Sequence, residues 1–311
     1  MPLEKLKKSF ERAMKNKGIS CALFLAILLV LLRLVSLVSV KIPSFTGGVD
    51  AAIGNHIRPL TTLKEVPDHS IDLAFIGDSL VMTDVDTKLV DQGTGKNSIL
   101  LSSPGMTILE AYHAFQELLE CQSPRIIMFE TDVLYYGGNL DGAKALIPDL
   151  AGRTYPVFFY HDTWKNLIRK PEPVSSDFKG FTPMNAVSPD APDMNYMRPT
   201  KEVLEFSKFN RHIMNKITAE CKKRNITLCL YSSVCPKQYS MERHNALSIY
   251  ASRFNLPFID LNMPNSGLTI DPHTDFFDHG EHLNAAGAVK STEALIRLMQ
   301  SSGICEARTG S

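Results

Sequence analysis

Apolar positions along this chain fall into three patterns. The first is one continuous run over about 19–40, interrupted at Ser20, Cys21 and Arg33. At about 22 residues it is long enough to cross a bilayer as a helix. The second is a set of short runs rich in β-branched and aromatic residues, which read as buried strands of a parallel sheet. The strongest covers 71–76, where five of six residues are apolar. Shorter or weaker runs follow at 97–102, 125–130, 225–233 and 257–261. The third pattern has helical spacing. Ile108, Ala111, Tyr112, Phe115, Leu118 and Leu119 line one face of a helix over 107–120. Further helices are predicted over about 200–223, 239–254 and 284–300.

Strands that alternate with helices imply an α/β fold: a three-layer α/β/α sandwich whose parallel sheet carries helices on both faces. Two stretches stand outside that rhythm. Residues 41–68 hold Pro43, Gly47, Gly48, Pro59 and Pro67 with little periodicity, and read as a linker. Residues 134–199 are too long for an idle loop and include the aromatic run 155–164. They read as a cap over the rim of the sheet. The expected plan is therefore a tail over 1–18, a membrane span over 19–40, the linker, an α/β domain over 69–302 and a short tail over 303–311.

Charge adds topology to this plan. The formal net charge is zero, which argues against nucleic acid as a partner. The balance is uneven, since residues 1–18 carry six basic side chains against two acidic ones. A basic flank ahead of an apolar span places the N-terminus in the cytoplasm and the rest of the chain outside. The competing reading is a cleaved signal peptide with 22–32 as its apolar core, although Val38-Ser39-Val40 makes a poor cleavage site. Six cysteines, at 21, 121, 221, 229, 235 and 305, show no zinc spacing and are too few for a disulfide scaffold. One or two bridges or buried free thiols both fit. Neither a metal-ligand cluster nor a Gly-rich nucleotide fingerprint is present, so no cofactor is expected.

The candidate chemistry lies at the two ends of the α/β region. The first strand stops at Gly77-Asp78-Ser79, which puts a serine at the rim where α/β folds place their ligands. Near the other end, Asp278-His279-Gly280-Glu281-His282-Leu283-Asn284 sets an acid and a histidine just before the last helix. Nucleophile, base and orienting carboxylate can assemble from such distant segments. The Gly-Asp-Ser block and the late acid–histidine block resemble those of the SGNH/GDSL hydrolase superfamily. The run 282–288, Ser103-Pro104-Gly105-Met106-Thr107 and Glu242-Arg243-His244-Asn245-Ala246 look like its membrane-anchored branch. That branch includes the D-alanyl-transfer protein of teichoic-acid modification and polysaccharide O-acyltransferase-like proteins. The resemblance covers roughly residues 70–300.

The resemblance implies an SGNH/flavodoxin-like fold with Ser79 as nucleophile and His282 as base. The family places its acid three residues before the histidine, where this chain has His279. Asp278, four before, is the favoured acid, on the argument that a helical turn would put it on the face of His282; Asp275 and Glu281 are alternatives. For the oxyanion hole the family uses the nucleophile's N–H, a glycine N–H after the second strand and an asparagine after the third. Gly105 fits the glycine. The asparagine block is missing, and Glu130-Thr131-Asp132 stands there, so either Thr131 or a backbone N–H substitutes as donor or the hole is weaker, and Asp132 is a candidate substrate contact. The implied function is extracytoplasmic serine esterase or O-acyltransferase chemistry on a cell-envelope glycopolymer, at the membrane, with a multipass membrane O-acyltransferase as partner. A non-catalytic assembly component and a secreted lipase-like esterase are the alternatives.

Overall fold

A computed structural model describes residues 17–39, 58–136, 146–147, 150–152, 154–155, 157 and 178–306. The chain divides into two compact units, 1–48 with 150–170, and 49–149 with 171–311. In the first, α1 (Lys17–Ser39) is a helix of 23 residues whose most apolar 18-residue stretch has mean hydropathy 2.8, with exposed apolar side chains along its length. It is long and apolar enough to cross a membrane, as an anchor or as a signal sequence.

The second unit is the α/β domain. In chain order it contains α2 (Arg58–Leu63), β1 (Leu73–Gly77), α3 (Ser79–Asp84), α4 (Thr87–Thr94), β2 (Ser98–Ser102), α5 (Ile108–Cys121) and β3 (Ile126–Glu130). There follow α6 (Lys208–Lys223), β4 (Thr227–Ser232), α7 (Met241–Phe254), β5 (Phe258–Asp260), the pair β6 (Phe276–Asp278) and β7 (His282–Leu283), and α8 (Ala285–Ser301). Five strands form one parallel sheet in the order β2-β1-β3-β4-β5. All residues of β1, β2 and β3 are buried, as expected of strands covered on both faces.

Side-chain alternation along the strands sorts the core into two layers. Ala74, Ile76, Ile99, Leu101, Ile127, Phe129 and Leu230 pack against α5, α6 and α7. Leu73, Phe75, Leu100, Met128, Tyr231 and Ile259 face the other way, toward α3, α4 and α8. Phe75 and Tyr231 meet edge-on at 5.9 Å in that second layer. The result is the three-layer α/β/α arrangement.

Helix ends follow their caps. Thr107 and Glu110 form a capping box at the start of α5. Ser207 accepts from Asn210 N–H at 3.0 Å and starts α6 there, eight residues later than the apolar spacing predicts. The expected linker over 41–68 is described only from 58. There Arg58 is fully buried, with its guanidinium on Ser102 Oγ at 3.1 Å, Thr182 Oγ1 at 2.8 Å and Gly180 O. Burial lowers its pKa to about 10. All six cysteines are free thiols.

Half of the expected cap lies outside the described residues, including His161 and Asp162. Its final part, from 178, runs along the domain. Leu100 N–H donates to Lys179 O at 2.9 Å, Thr182 N–H to Met82 O at 2.8 Å and Ser188 N–H to Phe276 O at 2.8 Å. This segment thus passes from β2, across the end of α3, to β6.

Candidate active site

β1 delivers the first element of the site. The chain leaves the sheet at Asp78 and turns at once into α3, with Ser79 as its first residue. Asp78 caps that helix, its carboxylate accepting from Leu80 N–H at 2.9 Å. Only glycine fits at 77. A Cβ there would lie 2.3 Å from Val81 Cγ2 and 2.6 Å from Glu130 Cβ, so the tight turn from β1 into α3 against β3 depends on its absence.

β6 and β7 deliver the second element. They form an antiparallel pair in which Asp278 stands opposite His282. Asp278 Oδ1 accepts from the backbone N–H groups of His282 (2.7 Å) and Glu281 (3.1 Å). Its Oδ2 lies 2.6 Å from His282 Nδ1, and His282 Nε2 lies 2.7 Å from Ser79 Oγ. An ionised carboxylate only accepts, so Nδ1 carries the proton and Nε2 is left to accept from the serine hydroxyl. Phe277 stacks on the imidazole at 5.4 Å and fixes the ring plane. The acid reaches the histidine across a strand pair, not through the helical turn argued from the sequence.

The alternative acids are engaged elsewhere. Glu281 takes Lys237 and, at 2.7 Å, Gln238 Nε2. Asp275 is buried against Lys290 Nζ at 2.6 Å. His279, at the position where the family has its acid, is exposed and lies 3.5 Å from Asp190.

Electrostatics agree with this pairing. Burial works to raise the Asp278 carboxyl, but hydrogen bonds from the His282 side chain and backbone outweigh it and hold it below its usual value. Burial likewise works against the His282 imidazolium, and the bond to Asp278 and the charges of Asp84, Asp278 and Glu281 raise it above the ordinary imidazole value.

The other expected residues stand as follows. Ser79 and Gly105 are partly exposed, and neither backbone N–H is bonded to an acceptor among the described residues. Gly105 adopts φ +62, and a Cβ there would come within 2.8 Å of Tyr136 Oη. Thr131 is buried with its hydroxyl 2.6 Å from Ser232 Oγ, and Asp132 is ion-paired with Arg243 at 2.5 Å. Neither side chain is left open to a substrate. Asp132 N–H donates to Glu130 Oε2 at 2.7 Å. Burial, followed by the neighbouring carboxylates, raises both Asp78 and Glu130 well above the usual range. Sequence reasoning missed Tyr136, which has no pattern to mark it, and Asp84 at the end of α3, whose burial is invisible in a string of residues.

A second acid–histidine–hydroxyl set shows what distinguishes the first. His244 Nδ1 lies 2.6 Å from Asp260 Oδ2 and His244 Nε2 lies 3.3 Å from Ser248 Oγ, beside a groove of about 540 Å³ along β5. Ser248 stands mid-helix in α7, where its N–H belongs to the helical ladder and no turn offers donors to an oxyanion. Asp260 also accepts from Tyr239 Oη and Asn262 N–H, so this set pins α7 to the end of β5.

No family model matches the chain, and no curated protein matches it. Solved structures do. A GDSL-like lipase from Bacteroides thetaiotaomicron is 12% identical over 80% of this chain and 97% of its own, with a TM-score of 0.41. The lipase/acylhydrolase from Enterococcus faecalis is 15% identical over 77% and 100%, at 0.39. The psychrotrophic esterase EstA from Pseudoalteromonas sp. is 13% identical over 75% and 98%, also at 0.39. Likeness this distant assigns no reaction, and the chemistry rests on the Ser79–His282–Asp278 geometry.

Proposed function

We propose that this chain is a serine-dependent enzyme acting on ester bonds through an acyl-Ser79 intermediate. One observation carries the reading: Ser79 Oγ, His282 and Asp278 are linked by hydrogen bonds of 2.7 and 2.6 Å at the carboxyl end of the sheet. Ser79 Oγ attacks the acyl carbon while its proton passes to His282 Nε2, and Asp278 steadies the imidazolium. The Ser79 and Gly105 N–H groups receive the oxyanion. The leaving alcohol departs with the proton from His282. Water or an acceptor hydroxyl then attacks the acyl-serine, giving its proton to His282 and releasing Ser79. The test is turnover of a soluble chromogenic ester. Ser79→Ala and His282→Ala should each abolish it, with folding intact; turnover retained in Ser79→Ala would contradict the reading.

The reading extends to place. The basic head and α1 support an anchored, extracytoplasmic domain that acts on an acylated cell-envelope glycopolymer beside a multipass membrane O-acyltransferase. A second reading, a non-catalytic assembly component, is favoured by the engagement of Thr131 with Ser232, which leaves two backbone donors in place of a three-donor hole. Polymer acylation in cells separates them, since only the catalytic reading loses it in Ser79→Ala.

A further inference from the structure

The acyl-Ser79 reading uses one carboxylate, and a second is buried beside the same histidine. Asp84 is the last residue of α3, the helix that begins at Ser79, and it is 0% exposed. Its Oδ1 accepts from Thr83 Oγ1 at 2.7 Å and from the backbone N–H of Leu283 at 3.1 Å. Leu283 follows His282 in β7. One carboxyl group therefore joins the helix of the nucleophile to the strand of the base. Its Oδ2 has no hydrogen-bond partner among the described residues. An orphaned buried oxygen is costly, and an apolar residue at the same place would avoid the cost.

We infer that Asp84 is a positioning residue for His282, fixing β7 through Leu283 N–H and favouring the imidazolium that forms when Ser79 gives up its proton. The inference rests on the reading of Ser79 and His282 as nucleophile and base. Among the described residues, few groups face this site. β6 ends in Asp278, the turn after it brings Glu281, Asp78 follows β1, and β4 brings Tyr231 and, just beyond it, Cys235. From α8, Thr292 Oγ1 lies 3.4 Å from the Asp84 carbonyl, and Lys290 is turned to Asp275. His282 is therefore the basic group that an ionised Asp84 faces. Burial pushes the Asp84 carboxyl up to about 7, against the pull of His282, Thr83 and the Leu283 N–H.

This gives two effects of opposite sign. Without the Asp84 charge the free imidazole holds its proton less tightly, so the acid limb of kcat/KM moves to lower pH, by about one unit. The imidazolium of the transition state also loses support, so the plateau of kcat drops about tenfold, the same unit expressed as a rate. A merely structural role lowers the plateau and leaves the limb in place.

The test uses the full chain in detergent, labelled with [13Cε1]histidine. The His282 resonance is identified by its loss in His282→Ala. Its titration is compared between the native chain and Asp84→Asn, next to the pH profile of ester turnover. A lower His282 titration midpoint in Asp84→Asn supports the inference, and an unchanged midpoint overturns it. If Asp84→Asn does not fold, Thr83→Val decides. Removing that donor keeps Asp84 protonated to higher pH and lowers the His282 midpoint by a smaller amount; no change overturns the inference. The resonance reads out without turnover, so an inactive native chain would count against the acyl-serine reading and leave this measurement standing.

Discussion

Asp278→Asn keeps the shape of the side chain and removes its charge, and the structure dictates how the amide must sit. The backbone N–H groups of Glu281 and His282, at 3.1 and 2.7 Å from Oδ1, claim the amide oxygen. The NH2 group then takes the place of Oδ2, 2.6 Å from His282 Nδ1. Two donors cannot face each other, so the imidazole yields its Nδ1 proton and adopts the Nε2–H tautomer. That proton now points at Ser79 Oγ, and the base can no longer accept. Holding the wrong tautomer lowers kcat by about a thousand- to ten-thousand-fold. The loss should be smaller than in Ser79→Ala, and KM should stay within about threefold, because Asp278 is placed to touch the base and not the substrate. Stability should fall by only about 1 kcal/mol, since the two backbone bonds persist. Steady-state hydrolysis of a chromogenic ester measures this, with Glu281→Gln as the comparison, because Glu281 is occupied by Lys237 and Gln238. A kcat within about threefold of native in Asp278→Asn, or the large loss in Glu281→Gln instead, would refute the assignment of the acid.

Other outcomes follow from the same geometry. Gly77→Ala should destabilise by about 3 kcal/mol or more, because its Cβ meets Val81 and Glu130 at 2.3 and 2.6 Å, and adding Val81→Ala should recover only part, since the Glu130 Cβ is fixed by the backbone; denaturant unfolding checks both. Activity should fall as pH drops through the raised pKa of His282, so the acid limb of kcat/KM lies above the ordinary imidazole value of about 6.5. The stability carried by the ion pair runs the other way. The His282 part is full below about 6.5 and is lost as pH rises through its raised value, and the Asp278 part is full above about 3.8 and is lost as pH falls through its lowered value. The difference in melting temperature between native and Asp278→Asn should therefore be largest between about pH 3.8 and 6.5 and shrink as pH rises through the raised His282 value.

The sequence made the frame legible because buried parallel strands are continuous apolar runs: β2 through β5 fall within the runs expected, and β1 passes the end of its run by one residue, Gly77. The Gly-Asp-Ser turn and the late acid and histidine were legible for a similar reason, since they sit where a strand stops and where a helix starts. Elements decided by packing were not. α3 has six residues, too few for a periodic signal, and α4 has only eight. β6 and β7 are three and two residues long and pair only because the domain holds them, so Asp278 meets His282 by a route the spacing does not suggest. The start of α6 went astray because 200–206 carries apolar residues at helical spacing, while the cap at Ser207 decides the boundary. Thr131 offered a hydroxyl at the right place in the string, and only the structure shows it spent on Ser232.

The central claim is that Ser79 attacks an acyl group with His282 as its base. Intact-mass spectrometry of the full chain treated with a fluorophosphonate tests it most directly, with peptide mapping of the adduct. The account predicts one adduct per chain, located on Ser79, absent from Ser79→Ala and strongly slowed in His282→Ala. A chain that stays unmodified, or an adduct on another residue that persists in Ser79→Ala, would contradict it.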